Sequence, residues 1–145
     1  MVFTARAIIE VLGYPEEHVN AVSKNVLEKL KTEQGIKVIK DTLNSAEKVK
    51  DIIFSSFIEV EIKANDFQRL IIFCYDYLPS TLEILDSDKI VMPTREFSHG
   101  LNELLAKLHH YNLVMNNLLT ENNELKEKIN SGNKTEDSVE KELSS

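Results

Sequence analysis

The chain has 145 residues, of which 42% are hydrophobic and 28% are charged. This length suits one domain, and the composition excludes a collagen, a fully disordered chain and a disulfide scaffold. Its 17 basic and 24 acidic side chains leave a formal net charge of −7. Nucleic acids and anionic membranes attract clustered cations. Because this chain is acidic overall, we expect no nucleic-acid partner and no membrane partner.

The only cysteine, Cys74, lies in the apolar run Leu70–Tyr75. A single cysteine forms no intramolecular disulfide and no thiolate metal cluster, and an apolar setting favours an inert, buried thiol. The first residues lack a basic stretch followed by a long apolar one, so they do not resemble a secretory signal. No apolar run has the length of a membrane span. We therefore expect a cytoplasmic protein.

The first predicted strand covers 5–12, where alternate residues share a face and one face is uniformly apolar. Gly13 and Pro15 end this strand. Proline suits the first position of a helix, and apolar residues then recur at steps of three and four as far as Leu30. An amphipathic helix is therefore predicted from Pro15 to Gly35, where the glycine ends it.

The next two predicted strands are Ile36–Lys40 and Phe57–Lys63, which alternate between apolar and polar residues. The segment 41–51 between them is less regular. Asn44 is followed three residues later by Glu47, a spacing that fits the capping of a single helical turn.

A second helix, Phe67–Leu78, is predicted after the capping pair Asn65 and Asp66, and a fourth strand follows at Thr81–Leu85. The inner stripe of this second helix would hold Leu70, Phe73, Cys74 and Tyr77. The resulting order, βαββαβ within residues 1–90, is typical of an α+β ferredoxin-like sandwich with four antiparallel strands and two helices on one face. Right-handed crossovers place the first and third strands at its centre.

A third helix is predicted from Pro93 to Asn130, and it follows a heptad pattern whose positions are lettered a to g. Nine of its ten a and d positions are hydrophobic over more than four heptads, which is typical of a coiled coil. We expect this helix to form a homodimer and the polar residues 131–145 to be a disordered tail. The a and d positions are Phe97, Leu101, Leu104, Leu108, Tyr111, Met115, Leu118, Asn122, Leu125 and Ile129.

Asn122 is the one polar residue in this seam. An asparagine at an a position pairs with its copy in a parallel two-stranded coil, although it also fits a fraying helix end. Leu105, Val114 and Leu119 widen the apolar stripe, so either the start of the helix packs on its own sheet or more than two helices associate. Gly100 would permit close packing there, or would be neutral.

The second face of the predicted sheet carries both carboxylates and apolar side chains. Carboxylates on adjacent strands can bind a cation or act as acid and base, but paired charges mixed with apolar groups indicate a protein-partner surface. The chain has no glycine-rich phosphate loop, no nucleophile motif flanked by glycines and no metal-ligand spacing. We therefore expect neither an enzyme nor a cofactor nor a metal. The predicted partner surface consists of Ile8, Glu10, Ile39, Phe57, Glu59, Glu61 and Leu85.

The segment Val11–Pro15 and the βαββαβ order resemble the ACT-type regulatory domains that sense small molecules. That resemblance implies a ligand site in the loop after the first strand, at Gly13 and Tyr14. The whole chain, including Phe54–Glu59 and Phe73–Ser80, is also similar to small uncharacterised archaeal proteins. The sequence therefore favours a non-enzymatic protein-interaction module, with an ACT-like sensing domain as the alternative.

Overall fold

The computed structural model describes residues 1–86 and 88–143, with side chains described for 1–86 and 88–133. The chain divides into two compact units, Met1–Leu104 and Leu105–Ser145. The first unit is a mixed α+β structure that contains the whole sheet. The second contains the greater part of the long C-terminal helix. The strands are β1 (Phe3–Gly13), β2 (Ile36–Leu43), β3 (Glu47–Lys50), β4 (Ile53–Ala64) and β5 (Thr81–Ile84), and the helices are α1 (Glu16–Lys31), α2 (Phe67–Tyr77) and α3 (Thr94–Leu143).

The sheet is antiparallel, with the order β2-β4-β1-β5. The short strand β3 pairs with the first residues of β4. β1 and β4 pair along their whole length, from Phe3 opposite Ala64 to Gly13 opposite Phe54. They correspond to the first and third predicted strands, so the prediction that these two are central is confirmed. The fifth strand, β3, was not predicted.

The core lies between one face of the sheet and the helices α1 and α2. Alternate residues of β1 and β4 point into it because successive side chains of a strand lie on opposite faces. Leu70 and Phe73 of α2 are buried there as predicted, and Cys74 and Tyr77 pack at its edge. The buried cluster consists of Phe3, Ala5, Ala7, Ile9, Leu27, Leu30, Ile58, Val60, Ile62, Ala64, Leu70 and Phe73.

Local hydrogen bonds fix the start of α2 and the end of α1. Asp66 caps α2 as predicted, because its carboxylate accepts a 2.8 Å hydrogen bond from the Arg69 backbone N–H. α1 ends at Lys31, earlier than the predicted end just before Gly35, and there the Thr32 hydroxyl donates to the Lys29 carbonyl at 2.7 Å. Gly35 instead forms the turn before β2, with a φ of 78° that favours glycine.

The segment 41–51 forms strands rather than a capped helical turn, so that prediction is wrong. β2 continues to Leu43 and β3 follows. The Asn44 carbonyl accepts a 2.7 Å hydrogen bond from the buried Ser56 hydroxyl, and the Ala46 N–H donates to the Asn20 amide oxygen at 2.8 Å. These long-range bonds hold the connection extended between β4 and α1.

α3 continues through 130–133, where the sequence predicted its end, and reaches Leu143. The described part of the predicted tail is therefore helical, while Ser144 and Ser145 lie outside the described residues. A glycine such as Gly132 costs a helix only about 1 kcal/mol relative to alanine. The neighbouring Asn130, Ser131 and Asn133 each cost at most about 0.7 kcal/mol more, so helix propensity weakens the helix here without forcing it to end.

Candidate interaction surfaces

The start of α3 packs on its own α+β unit through aromatic rings. The Phe97 ring stacks on the Phe67 ring of α2, with centroids 5.5 Å apart and planes inclined by 16°. Phe67 also lies 6.1 Å from the buried Phe3 ring. A Cβ atom added to Gly100 would overlap the Phe67 ring. Of the two interpretations of Gly100, close packing is therefore correct, and the face of α3 shared by Phe97 and Gly100 is occupied by α2.

Beyond this start, the predicted seam of α3 is exposed. Leu108 is 49% exposed, Tyr111 is 56% exposed and Met115 is 40% exposed. Leu118, Leu125 and Ile129 continue the pattern at 54%, 58% and 62%. Of the remaining a and d residues, Leu101 and Asn122 are exposed, and Leu104 is half-buried. Apart from Asn122, the seam positions from Leu108 to Ile129 thus form a row of uncovered apolar side chains at heptad spacing.

The three residues that widen this row are exposed as well. Leu105 is 60% exposed, Val114 is 41% exposed and Leu119 is 54% exposed. Leu113 is 49% exposed too, but it lies at an f position on the opposite side of the helix from the seam. The apolar surface of α3 therefore includes the e and g flanks of the seam.

Arg6 is at the centre of the open sheet face, opposite Glu61 of β4 and Glu83 of β5. Its guanidinium contacts Glu83 at 3.4 Å and Glu59 at 3.8 Å. These side chains are about half exposed, and exposed ion pairs stabilise a protein by at most about 1 kcal/mol. The sequence predicted the carboxylates of this face, and the structure assigns two of them to Arg6.

Glu10, another carboxylate of the predicted partner surface, bonds to Ser55, which lies before the predicted start of its strand. The Ser55 hydroxyl donates to the Glu10 carboxylate at 2.9 Å, and Ser55 is 4% exposed. The predicted strand began only at Phe57, so its alternation gave no signal for Ser55. Ser55 and Phe57 also line a depression of about 450 Å³ together with Asn44, Ser45, Glu47, Lys48 and Val49.

The apolar members of the predicted partner surface differ in exposure and in how the strands place them. Ile8 is half-buried, whereas Phe57 is 43% exposed. Ile39 lies where the β2–β4 register shifts between Val38 and Lys40, so simple alternation does not place it. Leu85 follows β5 and donates its N–H to the Thr4 carbonyl at 2.8 Å.

The register shift at Ile39 also changes which β2 side chains reach the open face. It places Lys40 opposite Glu61 and Thr42 opposite Glu59. Together with Arg6 they line a shallow depression of about 160 Å³. Two cations, Arg6 and Lys40, and three carboxylates, Asp41, Glu59 and Glu61, line it, so this part of the face suits a partner with mixed polar groups.

Gly13 and Tyr14, the ligand residues implied by the ACT-type resemblance, lie at the end of β1. A Cβ atom added to Gly13 would lie 3.4 Å from Val19, an ordinary contact. Tyr14 is 58% exposed. Neither residue lines the two depressions described above.

Within the described residues, no group of three or more His, Cys, Asp or Glu side chains is arranged to hold a metal ion. No described helix has the length and apolar character needed to cross a membrane. Cys74 is half-buried, and burial raises the pKa of its thiol, which keeps it in the less reactive protonated form.

The comparison with known families concerns nearly the whole chain. The model of the MJ0538 family matches residues 4–142. The chain belongs to the MJ0538 family. The match covers both the α+β unit and the described length of α3 beyond it, so the long helix is part of the MJ0538 pattern. The archaeal name of the MJ0538 family agrees with the predicted resemblance to small archaeal proteins. No curated protein and no solved structure matches the chain.

Proposed function

We propose that this MJ0538 chain is a non-enzymatic assembly module that self-associates through α3. The observation that carries the proposal is the row of exposed apolar side chains from Leu108 to Ile129. A contiguous exposed apolar patch on a soluble surface marks an interaction site, because its burial removes apolar area from water. Six of these positions fall at a or d, the positions that another helix covers in a coiled coil.

The α+β unit would supply the second surface of the module. Its strand order supports a ferredoxin-like sandwich to which β3 is added at one edge. Its open face combines Arg6 and its paired carboxylates with exposed Phe57. A mixed polar and apolar face of this kind suits a protein partner better than a small molecule.

The solution mass of the full chain tests self-association, measured by light scattering after gel filtration. We expect a homodimer with about twice the chain mass of 16.6 kDa. Leu118→Glu should produce a monomer, because it places a charge at a d position of the seam. The matched control is Leu113→Glu, which makes the same chemical change at the f position and should remain a dimer.

The unmodified chain and its two variants give distinct results if the proposal is wrong. An unmodified chain that stays monomeric at high micromolar concentration would refute self-association. A dimer that both variants leave intact, or both disrupt equally, would show that another surface holds the copies together. Circular dichroism confirms that each variant has kept its α+β unit and its helix.

A further inference from the structure

We infer that two copies of α3 pair in parallel and in register, as a two-stranded coil over Leu108–Ile129. This inference rests on the proposed self-association and adds the orientation, the register and the limits of the paired segment. The occupant of the exposed seam is then a second copy of the same segment. Three features of α3 carry the argument: its flanking residues, Asn122 and its contacts with α2.

The flanking residues of the seam match their own copies in a parallel pair. There, each g residue meets the e residue five positions later in the second copy. Glu121 then meets Lys126, a pair of opposite charges. Val114 meets Leu119, and both are exposed in the single chain. Two of the three residues that widen the stripe thus cover each other and the seam between them, so the stripe over Leu108–Ile129 does not require a third helix.

Asn122 distinguishes the possible registers. In a parallel, in-register pair its amide meets the amide of the second copy, and the two groups can bond to each other across the seam. In any other register it meets a hydrophobic a or d residue. An amide buried without a partner costs about 1–3 kcal/mol in proteins. Two such costs per dimer disfavour every shifted or reversed pair.

Charge pairing alone does not exclude an antiparallel pair, because reversing one helix over the same stripe brings Lys107 near Glu121. That arrangement also requires the second copy to cover the start of α3, since it places Asn122 opposite Leu104. The start of α3 presents its seam face to α2, where Phe97 stacks on Phe67 and no space remains at Gly100. Leu101 is 39% exposed here, but the contact with α2 leaves a second helix less uncovered apolar surface than over Leu108–Ile129. That antiparallel pair is therefore disfavoured.

A cysteine placed at Gly132 reports the orientation directly. Gly132 is a d position, one step after Ile129 in the heptad pattern, and no atom lies within 4 Å of an added Cβ. The control is Asn130→Cys at the b position, on the flank of the same helical turn. Each full-length variant is incubated in a glutathione redox buffer, and the disulfide-linked fraction is measured on a non-reducing gel. The unmodified chain corrects for any linkage through Cys74.

A parallel, in-register coil predicts that Gly132→Cys forms a linked dimer severalfold more completely than Asn130→Cys. Light scattering on the same samples separates the two possible failures. A non-covalent dimer in which Gly132→Cys links no better than Asn130→Cys would overturn the parallel register and leave the proposed function standing. Monomeric samples of the unmodified chain and both variants would overturn the proposed function, and the inference with it.

Discussion

Gly100 is the residue whose replacement should most directly weaken the start of α3. Gly100→Ala gains about 1 kcal/mol of helix propensity, but overpacking in a filled site costs about 1–3 kcal/mol. The Phe67 ring has little freedom to move away, because it lies between the rings of Phe3 and Phe97. We expect a net loss of up to about 2 kcal/mol in the free energy of unfolding, measured by urea titration.

The matched control for Gly100→Ala is Gly132→Ala, since both glycines lie inside α3. A Cβ atom at Gly132 meets no atom within 4 Å, so only the propensity gain remains. The helix should therefore be unchanged or more stable in this variant. Equal effects of the two substitutions on stability would show that Phe67 yields to the added methyl group.

Tyr77 should make the stability of the α+β unit depend on alkaline pH. Burial and a 2.8 Å hydrogen bond from its hydroxyl to the Glu33 carboxylate raise the pKa of Tyr77 above its ordinary value of 10.0. The unfolded chain therefore loses the phenol proton at lower pH than the folded chain does. The contribution of Tyr77 to stability is complete below about pH 10 and declines as the pH rises above it.

The Tyr77→Phe variant isolates this dependence from the lysines that titrate in the same range. Urea midpoints of the two proteins, followed by circular dichroism, are compared between neutral pH and about pH 11. We expect any stability advantage of the unmodified chain over the variant to shrink as the pH passes 10. A constant difference across that range would contradict the role assigned to the Tyr77 hydroxyl.

At the scale of the elements, Asn122 should limit how α3 associates. Asn122→Leu removes the one polar residue from the seam, and a buried asparagine at an a position specifies the two-stranded state at a cost in stability. We expect tighter association and a shift from dimers toward higher-order species, measured by light scattering over a concentration series. Asn123→Leu at the neighbouring b position is the control and should leave the dimer unchanged.

The elements also show where sequence periodicity succeeds and where it fails. Alternation located β1 and β4, because one face of each strand is buried along most of its length. It missed β3, all of whose residues are exposed and therefore carry no alternation of burial. A register shift within β2 at Ile39 interrupts the period of two, so alternation alone does not fix the face that Ile39 presents. Capping patterns were ambiguous as well. The Asp66 side chain caps α2, whereas the Asn44 backbone carbonyl accepts a hydrogen bond from Ser56 in the connection between β2 and β3.

The interaction surfaces were predictable to different extents for a related reason. The heptad pattern of α3 depends on spacing alone, so the sequence was enough to propose the exposed row from Leu108 to Ile129. The contact between Gly100 and Phe67 joins residues far apart in the chain, and periodicity contains no information about it. The same holds for the bond between Ser55 and Glu10. The sequence thus indicated which face of α3 is apolar, and only the structure showed which part of that face α2 already covers.

At the scale of the whole molecule, the two units should differ in what stabilises them. Every residue of the buried core cluster lies between Phe3 and Phe73, inside the unit Met1–Leu104. The helix beyond Leu104 offers exposed apolar side chains whose burial, in the proposed dimer, depends on a second copy. A chain shortened to residues 1–104 should therefore fold cooperatively and remain monomeric. It keeps the sheet, α1, α2 and the Phe97 and Gly100 contacts with Phe67.

Melting temperature as a function of protein concentration tests this division. Because association stabilises by mass action, the helix transition of the full chain should shift upward as the concentration rises. The 1–104 chain should melt at one temperature whatever its concentration, and the full chain carrying Leu118→Glu should lose the upward shift while keeping the transition of its α+β unit. A 1–104 chain that fails to fold, or whose melting still depends on concentration, would mean that the sheet itself requires a second copy. Self-association would then be a condition of folding in this MJ0538 chain rather than a property added by its helix.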